Sequence, residues 1–291
     1  GTTEDGGCFF IRTRRKNMLT TTELIMLGTG NAAATRCYNT CFAIRHGKQL
    51  LLVDGGGGNG ILTQLEKAGI ALSDIHHVFI THTHTDHLLG VIWILRMAAQ
   101  AMQKGTYTGQ LHLYGHDRAI MVLQWICQHT LPPKIVALIG RGILLHTLND
   151  GEQLAPAGMD MQCFDIGSTK EKQFGFRLTL HEGKTLVCLG DEPFNPTCRK
   201  YAAGVDWMLC EAFCLYADRD IFKPYEKHHS TALDAARTAA ELQVGNLVLY
   251  HTEDQTLTTR KSHYTTEAQQ EFSGTVWVPN DLDVIPLEQH E

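Results

Sequence analysis

The sequence predicts an α/β fold in which two β-sheets pack face to face and helices cover the outside. Two observations carry this expectation. One pattern recurs along the chain: a short apolar strand, then a polar residue fit for chemistry, then a turn or helix. The pattern starts again after Pro132-Pro133, so that two strand-rich halves, about 23–150 and 155–288, each carry helices, with no low-complexity stretch or Pro/Gly/Ser-rich linker between them. Sheets packed on sheets beneath outer helices bury such a set of elements. With 291 residues the chain can build a large core, and a single domain over 1–291 is expected, with 1–22 as an N-terminal extension.

The elements follow in order. Glu23 to Leu27 is a strand running into Gly28-Thr29-Gly30. Cys41 to Ile44 and Gln49 to Val53 read as a hairpin whose second arm ends at Asp54 and the glycine run 55–58. That run has no G-x-x-x-x-G-K-[ST] pattern, so it reads as a tight turn that lets backbone come close, not as a phosphate cradle. Ile61 to Ala68 is a helix, Val78 to Ile80 a strand, and Val91 to Gln103 and Asp117 to Gln128 are apolar-rich helices. In the second half Ile143 to Leu148, Asp160 to Ile166, Phe174 to His181, Thr185 to Leu189 and Val205 to Leu209 read as strands. Thr231 caps a helix through Leu242, with Asp234 three positions on as in a capping box. Asn246 to Tyr250 is a strand, and Val276 to Val278 and Val284 to Ile285 are edge pieces.

The densest chemistry lies at Thr81-His82-Thr83-His84-Thr85-Asp86-His87, directly after Val78-Phe79-Ile80. Three imidazoles and a carboxylate within six positions, at the end of a buried strand, point to a metal site. His82 and His84 can face the same way while the chain stays extended, because side chains alternate with period two. Asp86 and His87 then fall on a tight bend and serve a second centre. Imidazole with carboxylate suits zinc, manganese or iron better than calcium or a thiolate site. Strand ends elsewhere supply Asp54, Asp191, Glu211 and His251, where a rigid scaffold presents chemistry.

Composition narrows the partners. The net charge is −6 with histidine neutral, so no overall field draws nucleic acid. The local exception, Arg12, Arg14, Arg15 and Lys16, reads as a solvated, partly ordered tail. Nine cysteines lack a zinc-ribbon spacing; Cys37/Cys41 and Cys210/Cys214 are each separated by three residues, not two. An odd count without a signal peptide fits reduced thiols in a cytoplasmic protein. All apolar runs are short, so no membrane span is expected.

With these residues the chain resembles the metallo-β-lactamase superfamily of hydrolases, nearest the ribonuclease Z and phosphodiesterase branch. The resemblance runs from about Glu23 to His251. His82-Thr83-His84-Thr85-Asp86-His87 matches the H-x-H-x-D-H signature, and Gly190-Asp191 after a strand matches the motif of the bridging aspartate. His229-Ser230-Thr231, a helix, and then Leu247 to His251 match the late part of the phosphodiesterase branch. The resemblance implies the αββα sandwich with a site along one edge of the two sheets. It implies that His82 and His84 bind a first divalent ion, that Asp86, His87 and His251 bind a second, and that Asp191 bridges. It also implies that His229, working with Glu211, acts near the transition state, and that dimers are common among relatives.

The pattern breaks once. The superfamily takes a third histidine for the first metal from a mid-chain strand end, and here Gly167 stands in that place, between Phe164-Asp165-Ile166 and Phe174-Gly175-Phe176. Cys163, Asp165, Ser168 or a water is left to fill the gap, since His146 lies in an earlier strand and His181 at a hairpin turn. The first site is therefore expected to hold its ion less tightly than the second, with one or two ions bound.

A water held between two divalent ions loses its proton near neutral pH, its pKa falling from ~15.7 toward ~7, and the hydroxide attacks. Asp86 orients that water. His229, held by Glu211, bonds the transferring phosphoryl group or protonates the leaving oxygen. Lys223, Tyr225 and Lys227 either line the substrate mouth or form a solvated loop; Asn39 and Thr40 are weaker choices. Ribonuclease Z enzymes carry a flexible Gly-rich arm between the mid-chain histidine and the bridging aspartate, and Gly167 and Asp191 are too close to contain it. A small nucleotide-like or other phosphodiester is thus the first expected substrate. Carboxylic esters, lactones or thioesters come second, and tRNA 3′-processing is a further alternative. A non-catalytic ligand-binding protein with an impaired metal site stays open.

Overall fold

A computed structural model describes residues 21–288. The basic run Arg12, Arg14, Arg15 and Lys16 lies outside the described residues. The first sheet contains Thr22–Gly28 (β1), Cys41–His46 (β2), Gln49–Val53 (β3), His77–Phe79 (β4), Leu111–His116 (β5) and Ile143–Leu148 (β6). The second contains Gln153–Leu154 (β7), Asp160–Asp165 (β8), Phe174–Thr179 (β9), Thr185–Cys188 (β10), Trp207–Glu211 (β11), Asn246–Tyr250 (β12) and Thr275–Trp277 (β13). A last strand, Val284–Pro286 (β14), leaves the second half and pairs with β1, so the sheet orders are β14-β1-β2-β3-β4-β5-β6 and β13-β12-β11-β10-β9-β8-β7. Both sheets are mixed: β3 to β6 and β10 to β13 are parallel, and the remaining neighbours antiparallel.

Period-two alternation divides each strand between two apolar layers. Leu24 and Met26 of β1 face the second sheet, while Ile25 and Leu27 face the outer helices. In β11 Trp207 and Leu209 face inward, and Met208 and Cys210 face outward. Both faces are covered, which is why these strands read as unbroken apolar runs. Phe79 and Phe176 meet edge to face across the inner layer, ring centroids 5.2 Å apart. Helices Gly60–Lys67 (α1), Thr85–Gln103 (α2), Asp117–Thr130 (α3) and Pro133–Val136 (α4) fall in the half of the first sheet. Arg199–Ala202 (α5), Arg219–Phe222 (α6), Ala232–Glu241 (α7) and Leu257–Ala268 (α8) fall in that of the second. No helix among the described residues is long and apolar enough to cross a membrane.

Three differences from the sequence expectation have physical reasons. Helix α2 begins at Thr85, not Val91, with His84 at its N-cap. Asp86 and His87 therefore sit in a first helical turn instead of a bend, where a carboxylate complements the helix dipole. Strand β5 and helix α8 had not been expected. In β5 Leu111 and Leu113 alternate with His112 and Tyr114, a weak apolar signal. Helix α8 buries only Arg260, Tyr264 and Ala268, a narrow stripe headed by an arginine. The expected capping box is present: Thr231 accepts from Asp234 N, and the Asp234 carboxylate accepts from Thr231 N.

The glycine run brings α2 onto the end of β3. Gly55 N donates to His87 O at 2.9 Å and Gly90 N to Gly56 O at 2.8 Å. A Cβ on Gly90 would lie 1.7 Å from Gly55 O, so only glycine allows this approach. The contact fixes the start of α2, and with it Asp86 and His87, against Asp54.

Candidate metal centre

The carboxyl ends of β3, β4, β10, β11 and β12 open toward one edge of the sandwich. They deliver Asp54, the segment 81–87, Asp191, Glu211 and His251. Asp191 lies at the focus. Its Oδ2 is 3.5 Å from His82 Nε2, 3.5 Å from His87 Nε2 and 3.6 Å from His251 Nε2. Of three donor sets of metal-holding compactness here, two match the expected ligands, His82, His84 and Asp191, and Asp86, His87 and His251; the third is Asp54, His82 and His87. The six residues expected from the sequence as ligands therefore converge.

Second-row partners aim the rings. Asp54 Oδ2 accepts from His87 Nδ1 at 2.8 Å, which turns Nε2 toward Asp86 Oδ2 at 3.4 Å and Asp191. His251 Nδ1 lies 3.2 Å from Thr40 Oγ1, whose single hydrogen goes to Gly30 O; the ring is therefore the donor, and its Nε2 faces the centre with a lone pair. His82 is held differently. Its Nδ1 lies 2.9 Å from Thr81 Oγ1 and 2.8 Å from the Gln173 amide nitrogen, and its Nε2 lies 2.9 Å from His84 Nδ1. Gln173 also grips Asp191, accepting from its backbone N–H at 3.0 Å and donating to Oδ1. That leaves Oδ2 for the three imidazoles.

The charge states suit a cation. Burial opposes ionisation of Asp86 and Asp191, yet neighbouring histidines hold both carboxyls well below the usual range: His87 foremost for Asp86, His82 foremost for Asp191. Burial pushes His251 down to about 3 and lowers His84, so both rings are neutral. Burial also works against a charged His87, but Asp86 and Asp54 outweigh it and raise the ring well above its ordinary value. His87 Nε2 is buried without a hydrogen-bond partner. A cationic ring facing two carboxylates without a well-formed hydrogen bond marks a place where positive charge is favoured, which a divalent ion would take with loss of the Nε2 proton. Residues and metal fit.

A cavity of about 530 Å³ opens over this centre, lined among others by His84, Asp86, Asp191 and His251, with Phe213 and His229 on one wall. His229 stacks on Phe213, centroids 5.0 Å apart, and stands 5.2 Å from the His251 ring. Its Nδ1 faces Glu211 Oε2 at 3.6 Å, and neither atom has another partner. Glu211 is fully buried, and its other oxygen accepts from Ser230 N at 2.6 Å and Ser230 Oγ at 2.7 Å. Burial raises its pKa; His229 and Ser230 pull it back.

The structure places some expected residues elsewhere. Neither Lys223 nor Tyr225 lines the cavity. Lys223 is the left-handed C-cap of α6, and the Tyr225 hydroxyl donates to Asp234 at 2.7 Å. Lys227 does line it, together with Lys170, which the sequence reading had passed over. Gly167 has φ +69°, and a Cβ there would meet the Asn195 amide nitrogen at 2.5 Å, so a side chain at that position would be both strained and crowded. None of the expected substitutes replaces it: Cys163 bonds Asn149 O, Asp165 bonds Gly167 N, and Ser168 bonds Glu192. Gln173, Asp54 and Thr81 are the supports that sequence reasoning missed as such. For Asp54 the signal was present, a carboxylate at a buried strand end.

Comparison with known proteins agrees with this fold. The family model described as Anti-Pycsar protein Apyc1 matches residues 22–271. Ribonuclease Z of Nocardia farcinica is 30% identical over 303 residues, covering 91% of this chain and 97% of that protein. Among solved structures, the metallo-beta-lactamase fold protein YhfI from Bacillus subtilis has a TM-score of 0.74 at 19% identity, covering 91% of this chain and 99% of its own. The short form of human tRNase Z has a TM-score of 0.70 at 21% identity, covering 92% and 100%. The αββα arrangement expected from the resemblance is thus the observed fold, and the chain, a metallo-β-lactamase superfamily hydrolase near the ribonuclease Z-like branch, belongs to the family described as Anti-Pycsar protein Apyc1.

Proposed function

We propose that this protein is a metal-dependent phosphodiesterase acting on a small, nucleotide-like phosphodiester. The observation that carries the reading is the meeting of three imidazole Nε2 atoms, two from the segment 81–87 and one from the end of β12, on one oxygen of Asp191. His82, His84 and Asp191 would hold one divalent ion, and Asp86, His87 and His251, with Asp191 shared, a second; zinc fits the donors, as do manganese and iron. Ions so held supply positive charge for the phosphoryl oxygens and activation of a water.

The protein's own groups do the rest. Asp86, at the cavity floor, orients the attacking water. His229 presents Nε2 to the cavity because Nδ1 is turned to Glu211, and it donates to the phosphoryl oxygen or protonates the leaving oxygen. Phe213 keeps the ring in that plane. Small size of the substrate is supported by the short path between Gly167 and Asp191: one loop and the β9–β10 hairpin fill it, with no inserted arm. The eight described cysteines are all unpaired, which supports a reducing, cytoplasmic setting.

Hydrolysis of bis(p-nitrophenyl) phosphate with added zinc or manganese, run beside p-nitrophenyl acetate and a thioester, tests this. Turnover of the phosphodiester that chelation abolishes is expected. Preference for the carbonyl substrates, with His229 dispensable, would replace the reading by an esterase. No turnover with any metal would leave a binding protein.

A further inference from the structure

We infer that Lys170 is a specificity-determining residue that holds an anionic phosphoryl oxygen of the substrate at the rim of the cavity. The inference rests on the phosphodiesterase reading for its substrate, but its geometry is independent. Lys170 belongs to the connection between β8 and β9, a segment anchored at both ends. On the outer side Glu171 pairs with Arg118 at 2.5 Å and Lys172 with Asp117 at 2.6 Å, tying the loop to the start of α3. On the inner side Ser168 donates to Glu192, next to Asp191. The loop is thereby held beside the metal centre.

Lys170 itself is positioned, not free. Its main chain is open to solvent, but its side chain is only 24 % exposed. Nζ donates to Lys227 O at 3.1 Å and lies 3.9 Å from Glu192 Oε1. An ammonium has three hydrogens; one goes to the Lys227 carbonyl, and among the described residues no other bond as short is formed. The spare donors belong to a side chain lining the same cavity as His84, Asp86 and Asp191. Lys227, the other lysine there, also makes one bond, Nζ to Phe222 O at 2.8 Å, but its ammonium is taken up by the Phe213 ring, 4.7 Å from the ring centre. In a chain of net charge −6, a fixed ammonium over a phosphoryl-handling centre has an anion as its natural complement. That anion is either the reacting diester or a second phosphate beside it.

Two dinucleotides, one with and one without a 5′-terminal phosphate, separate these cases. In the metal-loaded protein Lys170→Met should raise KM roughly tenfold, the loss of one charge-assisted bond, with kcat changing less, while Lys170→Arg recovers most of the loss. A rise confined to the phosphorylated dinucleotide assigns Lys170 to a second phosphate; an equal rise on both assigns it to the diester. Inorganic phosphate, titrated calorimetrically against wild type and Lys170→Met, reads the lysine without turnover. If wild type cleaves neither the dinucleotides nor bis(p-nitrophenyl) phosphate, the phosphodiesterase reading fails, and the phosphate titration still decides the lysine. Unchanged KM on both dinucleotides, or on failed turnover unchanged phosphate affinity, would overturn the inference.

Discussion

The two donor sets share Asp191 but differ in what stands behind them. Behind His87 is a buried carboxylate, and behind His251 a hydroxyl that can only accept; each takes the Nδ1 hydrogen and turns Nε2 toward the centre. Behind His82 the Nδ1 atom meets a hydroxyl and an amide N–H at nearly equal distance. The Thr81 hydroxyl gives its hydrogen to Asp54 and can only accept from Nδ1, whereas the amide can only donate to it, so the two partners favour opposite tautomers. His84 is half-buried, and its only ring partner among the described bonds is His82 itself. One half is therefore built for an ion before the ion arrives, and the other is built around its neighbour. The lesson is that ligand count alone misstates a metal site, because preorganisation resides in the outer partners.

The largest effect should come from the residue common to both halves. Asp191→Ala removes the shared oxygen and exposes three imidazoles to one another. Loss of about 10³-fold in phosphodiester turnover is expected, with metal content falling in parallel, since the ions contribute several kcal/mol of charge stabilisation. Retention of both activity and metal would dissolve the two-set description.

His229 belongs to neither set, and its removal should separate chemistry from metal binding. His229→Ala should lower kcat about 10²-fold on a phosphodiester. Metal content measured by elemental analysis should stay that of wild type, because His229 touches His251 only ring to ring. Coupled loss of metal would make His229 a support of the second set instead.

Most of this comparison was legible from residues 82–87, 191 and 251, because close spacing and strand ends are local features. What was not legible is long-range. Gln173 reaches Asp191 across 18 positions, and Asp54 reaches His87 across 33. Lys223 and Tyr225 lie near His229 in sequence but do not line the cavity, whereas the distant Lys170 does. Lys223 takes a left-handed φ at the end of α6, while the β8–β9 loop is anchored by two ion pairs to α3. Helix α8 was hidden because Arg260 fills the core position an apolar residue would have announced. Its guanidinium instead bonds Thr252, Thr29 and Pro279 O, tying the stretch after His251 to the loop after β1.

The asymmetry itself predicts a metal count. After dialysis against metal-free buffer, elemental analysis should give nearer one ion than two per chain. The retained ion should be lost on substitution of His87 or His251 but not of His84. Two firmly held equivalents would mean that His82 and His84, with Asp191, need no third nitrogen.

The smallest effects rank the supports within the stronger half. Asp54→Asn removes the charged acceptor from His87 and also the partner of Thr81, so metal affinity should fall about 10- to 100-fold. Thr40→Val removes only a neutral acceptor from His251. A neutral hydrogen bond contributes about 0.5–1.5 kcal/mol, so a loss of roughly two- to tenfold is expected. Competition with a chromogenic chelator measures both. The order matters more than the sizes: a carboxylate raises the basicity of the ring it holds, whereas a hydroxyl only orients it. If Thr40→Val costs as much as Asp54→Asn, orientation alone governs the affinity, and His82, oriented by Thr81, should then bind as firmly as His251.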